Sequence, residues 1–428
     1  MSTVVVGAGL AGLAAARRLE DQGEEVVVLE ARDCIGGRTR SPRDLLRYGQ
    51  PADLGASFID LGQDLLLQTC DEFGLALTPR TTLMPRDPDG SFSVASPLRG
   101  PMIIDGAVVR PTEATALAEE VRTATTASPP LAVETIPAWV ARAGLSDRAQ
   151  RAVLAQAGGD PVSTPWRVQM EVVHPPLVGK ACWMLADGAE SIARAIADGL
   201  DIRLEQPVRL VTRRRGEVEI ETDRARFAAD EIIVAVPIPP MLEIGFEPVL
   251  PAWKANALLS TSMSQGGKVI GQYSHGSLVA EAVSPSVLSD GPISLAWARP
   301  VGPEDSVVVM GLMPDNADGV LRDPERALGE LDQIVRLLAG DAPRRLAGTA
   351  RDWTAEPFSG GVVSGTRADH ERLISLLAHN VGAVHFAGEH TDLVFATGME
   401  GALRSGLRAA DEILQRRAPH GNRGGRRS

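Results

Sequence analysis

Two hydrophobic periods alternate within the first thirty residues. Residues 3–6 form an apolar run of strand length, and residues 25–29 repeat it. Between them Leu10, Leu13, Ala14, Ala16 and Leu19 lie three or four apart, Arg17, Arg18, Glu20 and Asp21 take the opposite side, and Gly23 follows. This spacing predicts a helix over residues 10–21 that ends at the glycine, and the whole reads as a βαβ unit. Residues 102–109 carry Asp105-Gly106 at their centre, the pair suited to a type I′ hairpin turn, within a loop-rich region from Pro79 to Pro111. Residues 112–126 and 146–157 have helical spacing behind cap-type residues. After Gly188 a short helix to Leu200 leads into β-rich stretches at 202–211, 218–221 and 231–237, expected to belong to the same domain as the first sheet. Strands at 268–273, 306–312 and 383–387 and helices at 323–338 and 399–417 complete the pattern.

A chain of 428 residues exceeds one core, since a domain takes roughly 100 to 200 residues. The alternation places one domain in 1–64, 188–250 and 370–417 and a second in 65–187 and 251–369, with 418–428 a disordered basic tail. The net charge of -12 argues against a nucleic-acid partner, because the one basic run lies at Arg416, Arg417, Arg423, Arg426 and Arg427. Cys34, Cys70 and Cys182 have neither disulfide nor zinc-knuckle spacing, and no metal site is expected. There is no apolar leader and no uncharged run of about 18 residues, so the reading is a cytoplasmic protein without a membrane span.

Candidate chemistry begins at Gly7-Ala8-Gly9-Leu10-Ala11-Gly12. Glycines at these positions allow a tight turn, close approach of a pyrophosphate to backbone N–H groups, and close packing of helix on strand. Glu30 ends the second strand, where a carboxylate accepts ribose hydroxyls. The turn therefore predicts a bound dinucleotide, NAD or FAD.

The continuation Glu30-Ala31-Arg32-Asp33-Cys34-Ile35-Gly36-Gly37-Arg38-Thr39 resembles the glycine-glycine-arginine extension of the flavin amine oxidase superfamily. A second anchor, Val384-His385-Phe386-Ala387-Gly388-Glu389-His390-Thr391 with Thr397-Gly398-Met399-Glu400-Gly401-Ala402, resembles that family's closing motif. The resemblance implies an α/β fold, a Rossmann-like FAD-binding domain interleaved with an α+β substrate-binding domain. It also implies FAD contacts from Gly7, Gly9, Ala11, Gly12, Glu30, Ala31, Arg32, Gly37, Arg38, from Gly55, Ala56, Ser57 and Phe58, and from Val208, Trp353, Gly388, Glu389, Gly398 and Met399. Lys268, in Gly266-Gly267-Lys268, matches the family lysine that holds a water at flavin N5. Trp353, ahead of Pro357-Phe358-Ser359-Gly360-Gly361, matches a tryptophan packed on the isoalloxazine. Gln206-Pro207-Val208 and residues 232–237 resemble the strands beside the adenine.

The implied reaction is oxidation of a small-molecule amine to an imine, hydride going to flavin N5 and O2 reoxidising the cofactor with release of H2O2. A homodimer is among the expected assemblies. The cysteine of covalently flavinylated relatives corresponds to Val362, which implies non-covalent FAD, and the two tyrosines that frame a monoamine correspond to Val363 and Gly398. Asp53-Leu54-Gly55-Ala56-Ser57-Phe58-Ile59 lacks the arginine with which amino-acid oxidases hold a carboxylate, leaving Arg43 or Arg47 as substitutes. Asp60 and Asp64 are candidates for the second ammonium of a diamine, and His370, His385 and His390 read as structural. A C–C desaturase or protoporphyrinogen oxidase, an L-amino-acid oxidase and a catalytically quiet flavoprotein scaffold are the competing readings.

Overall fold

A computed structural model describes residues 2–80, 100–131, 134–157, 181–314, 319–365 and 369–417; the basic stretch 418–428 lies outside the described residues. Strand β1 (Ser2–Val6), helix α1 (Leu10–Glu20) and strand β2 (Glu25–Leu29) form as the periodicity predicts. They sit in a five-stranded parallel sheet ordered Val384–Phe386, Glu231–Val234, β1, β2, Ile202–Arg203. Val5, Ile232, Ile233 and Val234 are buried because helices cover both faces of such a sheet. The helix Met399–Arg417 lies on α1 so closely that a Cβ on Gly406 would overlap the Ala11 carbonyl oxygen. The start of helix Asp64–Glu72 is held in the same core, with Leu65 and Leu66 donating their N–H groups to the Glu400 carboxylate.

The β-rich stretches after Gly188 divide between two sheets. The chain turns at Glu205, whose φ is 56°, and Val208–Arg214 joins Glu217–Thr222, Arg226–Ala229 and Gly245–Glu247 in a separate four-stranded sheet. Burial alternates along Glu217–Thr222, as in a sheet with one wet face, whereas Glu231–Val234 is buried throughout.

The seven-stranded sheet runs Arg345–Asp352, Gly266–Tyr273, Val307–Pro314, Leu295–Ala298, Val287–Ser289, Met102–Ile104, Ala107–Val108. The expected hairpin is present, with Asp105 and Gly106 both at positive φ. Helix Pro324–Ala339, capped by the Asp323 carboxylate, covers one face of this sheet. Ile270, Trp297, Val308, Met310 and Trp353 on the other face pack against Leu46, Ala52 and Leu54. That contact brings the loop after β2 against the seven-stranded sheet. Ile59–Asp60, Cys182–Leu185 and Leu77–Arg80 form a small three-stranded sheet.

Candidate active site

A single long cavity begins at the carboxyl ends of β1 and β2, where ligands of open α/β sheets bind, and reaches the seven-stranded sheet at Lys268, Trp297 and Leu312. At its first end Gly7 has φ 101°, and a Cβ on Gly12 would overlap the Gly7 carbonyl oxygen, so the turn and α1 close directly onto each other. Gly9, Leu10 and Ala11 line the cavity, and the first-turn N–H groups of α1 have no intrahelical acceptor. The buried Glu30 carboxylate accepts from Ala8 N at 2.8 Å and Arg32 N at 2.9 Å, tying the turn to the loop that follows β2.

The two distant motifs meet at Glu389. Its carboxylate accepts from Arg38 Nη1 at 2.9 Å, Ser364 Oγ at 2.5 Å, Ser364 N at 3.2 Å and Thr397 N at 3.0 Å. Burial raises its pKa, but the Arg38 charge and these hydrogen bonds outweigh burial and hold it below the ordinary carboxylate value. Arg38 also donates to the Val362 carbonyl at 3.0 Å. Gly55 has no room for a Cβ beside the Arg38 carbonyl, which brings the second glycine segment against the first.

At the far end Lys268 is buried, with Nζ 2.6 Å from Ser57 Oγ and 3.3 Å from the Asp53 carbonyl oxygen. Burial depresses its ammonium to about 7, against the opposing charge of Asp53. The Asp53 side chain makes a buried pair with Arg299 at 2.5 Å and accepts from Ser41 Oγ at 2.6 Å and Ala189 N at 2.9 Å. Arg299 Nη2 donates to the carbonyls of Leu185 and Ala186. Trp353 is buried and donates Nε1 to the Leu54 carbonyl at 2.8 Å.

Comparison with known proteins gives the chain its place. The family described as "Flavin containing amine oxidoreductase" matches residues 10–106 and 137–414. The chain belongs to this family. A putative flavin-containing monoamine oxidase, AofH, of Mycobacterium tuberculosis is 29% identical, covering 96% of each chain. The flavin-containing amine oxidase B of Homo sapiens is 26% identical over 96% of this chain and 85% of that protein. Among solved structures, a cyclohexylamine oxidase from Brevibacterium oxydans IH-35A superposes with a TM-score of 0.77 at 24% identity, covering 97% of this chain and 99% of that one. The fold is thus that of the FAD amine oxidases, and FAD is the family's cofactor.

The flavin amine oxidoreductase fold gathers the expected residues. Every glycine, acid and aromatic expected at the cofactor lines the cavity, together with Lys268, except Gly12, which stands behind the turn. Val362, Val363 and Gly398 line it too. Other expectations need correction. Arg43 is on the surface beside Asp187, and Arg47 is exposed; neither lines the cavity. Asp60 and Asp64 also stay off the cavity wall, Asp64 exposed at the start of its helix. His385 packs between Glu231 and Glu412, whereas His390, read as structural, lines the cavity. Burial holds His390 neutral, its pKa pushed down to about 4. The Asp53–Arg299 pair and Trp297 are not signalled by any local motif. Their one trace in the sequence is an isolated arginine after an apolar strand.

Proposed function

We propose that the protein oxidises the C–N bond of an amine, with the residues around the cavity holding FAD non-covalently and Lys268 and Trp353 at its reactive end. The observation that carries this reading is the continuity of one cavity from Glu30, at the end of β2, to the buried Lys268. The α1 N-terminus suits the pyrophosphate, and Glu30 suits the adenosine ribose. Val208, beside Gln206 and Pro207, suits the adenine, although it comes from the separate four-stranded sheet. The N-terminal end of helix Met399–Arg417, with Gly398 and Met399 on the cavity, supplies a positive dipole where negative charge develops on reduction. Bound FAD supplies the redox chemistry, taking a hydride from the carbon next to nitrogen and giving its electrons to O2 as H2O2. The chain's own task is to orient the amine and exclude water, for which Trp297, Leu312, Trp353 and Val363 provide an apolar wall.

Anaerobic mixing with an amine substrate should bleach the flavin absorbance, and air should then release peroxide. A broad panel of amines and amino acids that leaves the flavin oxidised would overturn the reading. Denaturation in acid should free all the flavin into solution, since Val362 offers no nucleophile; flavin that stays with the precipitated chain refutes the non-covalent assignment.

Lys268 yields a pH prediction. Its folded pKa lies below the ordinary lysine value, so the neutral amine is favoured in the folded chain and the cost of burying it fades as pH rises above about 7. Turnover should rise through a limb near pH 7 that does not move with the pKa of the substrate and disappears in Lys268→Met. A limb that persists in that variant belongs to another group.

The same proposal divides the chain into the FAD-binding segments 1–64, 188–250 and 370–417 and the substrate-binding segments 65–187 and 251–369. It also places the protein in the cytoplasm, where the thiols of Cys34, Cys70 and Cys182 stay free, and takes it to be a homodimer. Sedimentation tests the assembly. No described helix is long and apolar enough to cross a membrane.

A further inference from the structure

Behind the cavity the C-terminal helix is fastened to the parallel sheet through a buried histidine. His385 is the middle residue of strand Val384–Phe386, fully buried and paired in register with Ile233. Its Nδ1 is 2.8 Å from Glu412 Oε2 on helix Met399–Arg417, and its Nε2 is 3.3 Å from Glu231 Oε2 at the start of the neighbouring strand. An ionised carboxylate only accepts, and a neutral imidazole has a single N–H. With both carboxylates ionised, the two contacts are hydrogen bonds only when the ring carries two protons; a neutral ring sets its lone pair against one of them. Burial disfavours that charge, but the hydrogen bonds and charges of Glu231 and Glu412 outweigh it and hold the His385 pKa above its ordinary value. Two cations complete the cluster: Arg408 bonds Glu412 Oε1 at 2.5 Å, and Arg416 stands 3.6 Å from Glu231. Arg18 with Asp411 and Arg417 with Glu24 are further ion pairs of the helix and do not bond the ring. On the other face of the strand Lys254 Nζ lies over the Phe386 ring.

The helix in turn holds the cavity wall from behind. Arg408, bonded to Glu412, donates through Nη2 to the Phe386 carbonyl at 2.6 Å and to Thr391 Oγ1 at 3.1 Å, and Thr391 Oγ1 donates to the Gly388 carbonyl at 2.8 Å. Ser405 Oγ accepts from Gly388 N at 2.9 Å. Gly388, Glu389 and His390 line the cavity, as do Gly398, Met399 and Ala402 at the N-terminal end of the helix. Whatever loosens the helix from the strand therefore loosens this wall.

Resting on the reading that FAD is held non-covalently, we propose that His385 is a pH-responsive pin: as an imidazolium joining Glu231 to Glu412 it docks the C-terminal helix, and loss of its proton on the alkaline side relaxes the turn at Gly388 and Thr391 and with it the grip on the flavin. The direction follows from linkage. A histidine whose pKa is raised in the folded chain contributes fully below the ordinary value of about 6.5, and its contribution is lost as pH rises through the folded value. Lys254 and Lys268 act the opposite way, since burial lowers their ammonium groups to about 6 and about 7 and the cost of burying them fades as pH rises.

The test follows the holoenzyme from about pH 6 to about pH 8.5 by its Tm and its rate of flavin release, beside His385→Gln, which takes no proton in this range. At the acid end the variant should melt earlier and release flavin about 10-fold faster than the unaltered protein, and toward the alkaline end the two should converge. Comparison with the variant cancels the lysines. A gap that stays constant across the range marks a packing defect and overturns the proposal, as does the absence of any gap. If His385→Gln does not fold, Glu412→Gln takes its place: its neutral amide both donates and accepts, so it suits the neutral ring, and flavin release should no longer accelerate with rising pH. An unchanged profile in that variant overturns the proposal. Nitrogen NMR of isotope-labelled histidines decides the matter on the unaltered chain, where one ring should keep both protons at a pH at which ordinary histidines have lost theirs. A holoenzyme in which every histidine ring is neutral by about pH 7 sinks the pin. Flavin that is released at no pH refutes the non-covalent assignment instead, and Tm and the ring signals still decide on His385.

Discussion

Replacing Gly12 with alanine is expected to yield a protein that purifies without FAD and melts early, whereas Gly9→Ala should fold normally and lose only flavin affinity. The two glycines belong to one turn but face different surroundings. At Gly12 a methyl group overlaps the Gly7 carbonyl oxygen and comes within 3.2 Å of Val5 Cγ1, both fixed parts of the β1–α1 contact. Relief requires the helix to back away from the strand, at about 1–3 kcal/mol for overpacking of this kind, and the first-turn amides move with it. At Gly9, with φ -77°, a methyl group fits the backbone and meets nothing within 4 Å, yet Gly9 lines the cavity. On the proposed reading, the methyl therefore stands where the pyrophosphate approaches. Flavin absorbance per chain after gel filtration, with Tm of the apo proteins, separates the two effects. Equal Tm losses in the two variants would show that the turn acts only as a structural element.

Arg299→Met should cost about 3–5 kcal/mol, the penalty typical of removing one partner from a buried ion pair. Asp53 is left with Ser41 Oγ and Ala189 N against a full charge, and the carbonyls of Leu185 and Ala186 lose their donor. The double replacement Asp53→Leu with Arg299→Met should recover part of the loss, because the stranded charge is the main cost. Urea unfolding of the holoenzyme measures both. The pair also reaches the reactive end of the cavity, since the Asp53 carbonyl accepts from Lys268, so the single variant should shift the limb near pH 7 as well. A neutral Arg299→Met would mean that the pair contributes nothing net.

The parts of the protein visible in its sequence are those whose cause is local. The β1–α1–β2 unit, the Asp105-Gly106 turn and the capped helix Pro324–Ala339 each follow from a few adjacent residues. The fate of Val208–Arg214 was also written there, because alternating Val218 and Ile220 point to a sheet with one wet face, whereas Glu231–Val234 is apolar throughout its inner part. The pairings at the site are of another kind. Asp53 meets Arg299 across 246 positions and Arg38 meets Glu389 across 351, and neither pair has a spacing that pattern reading detects. Arg80 ends a strand of four residues whose one partner strand, Cys182–Leu185, lies far along the chain. The motifs mark residues that line the cavity, and long-range packing sets the pairs that join them.

The Glu389 cluster governs when the site comes into being during synthesis. Arg38 leaves the ribosome 351 positions before the carboxylate that holds it, and the Thr397 N–H on the other side follows later still. Until then Arg38 lacks its carboxylate partner and α1 lacks the helix that covers it. A nascent chain halted before residue 389 should therefore expose a nearly complete Rossmann unit that fails to retain flavin. On the proposed reading, cofactor loading then reports that strand Val384–Phe386 and helix Met399–Arg417 have docked.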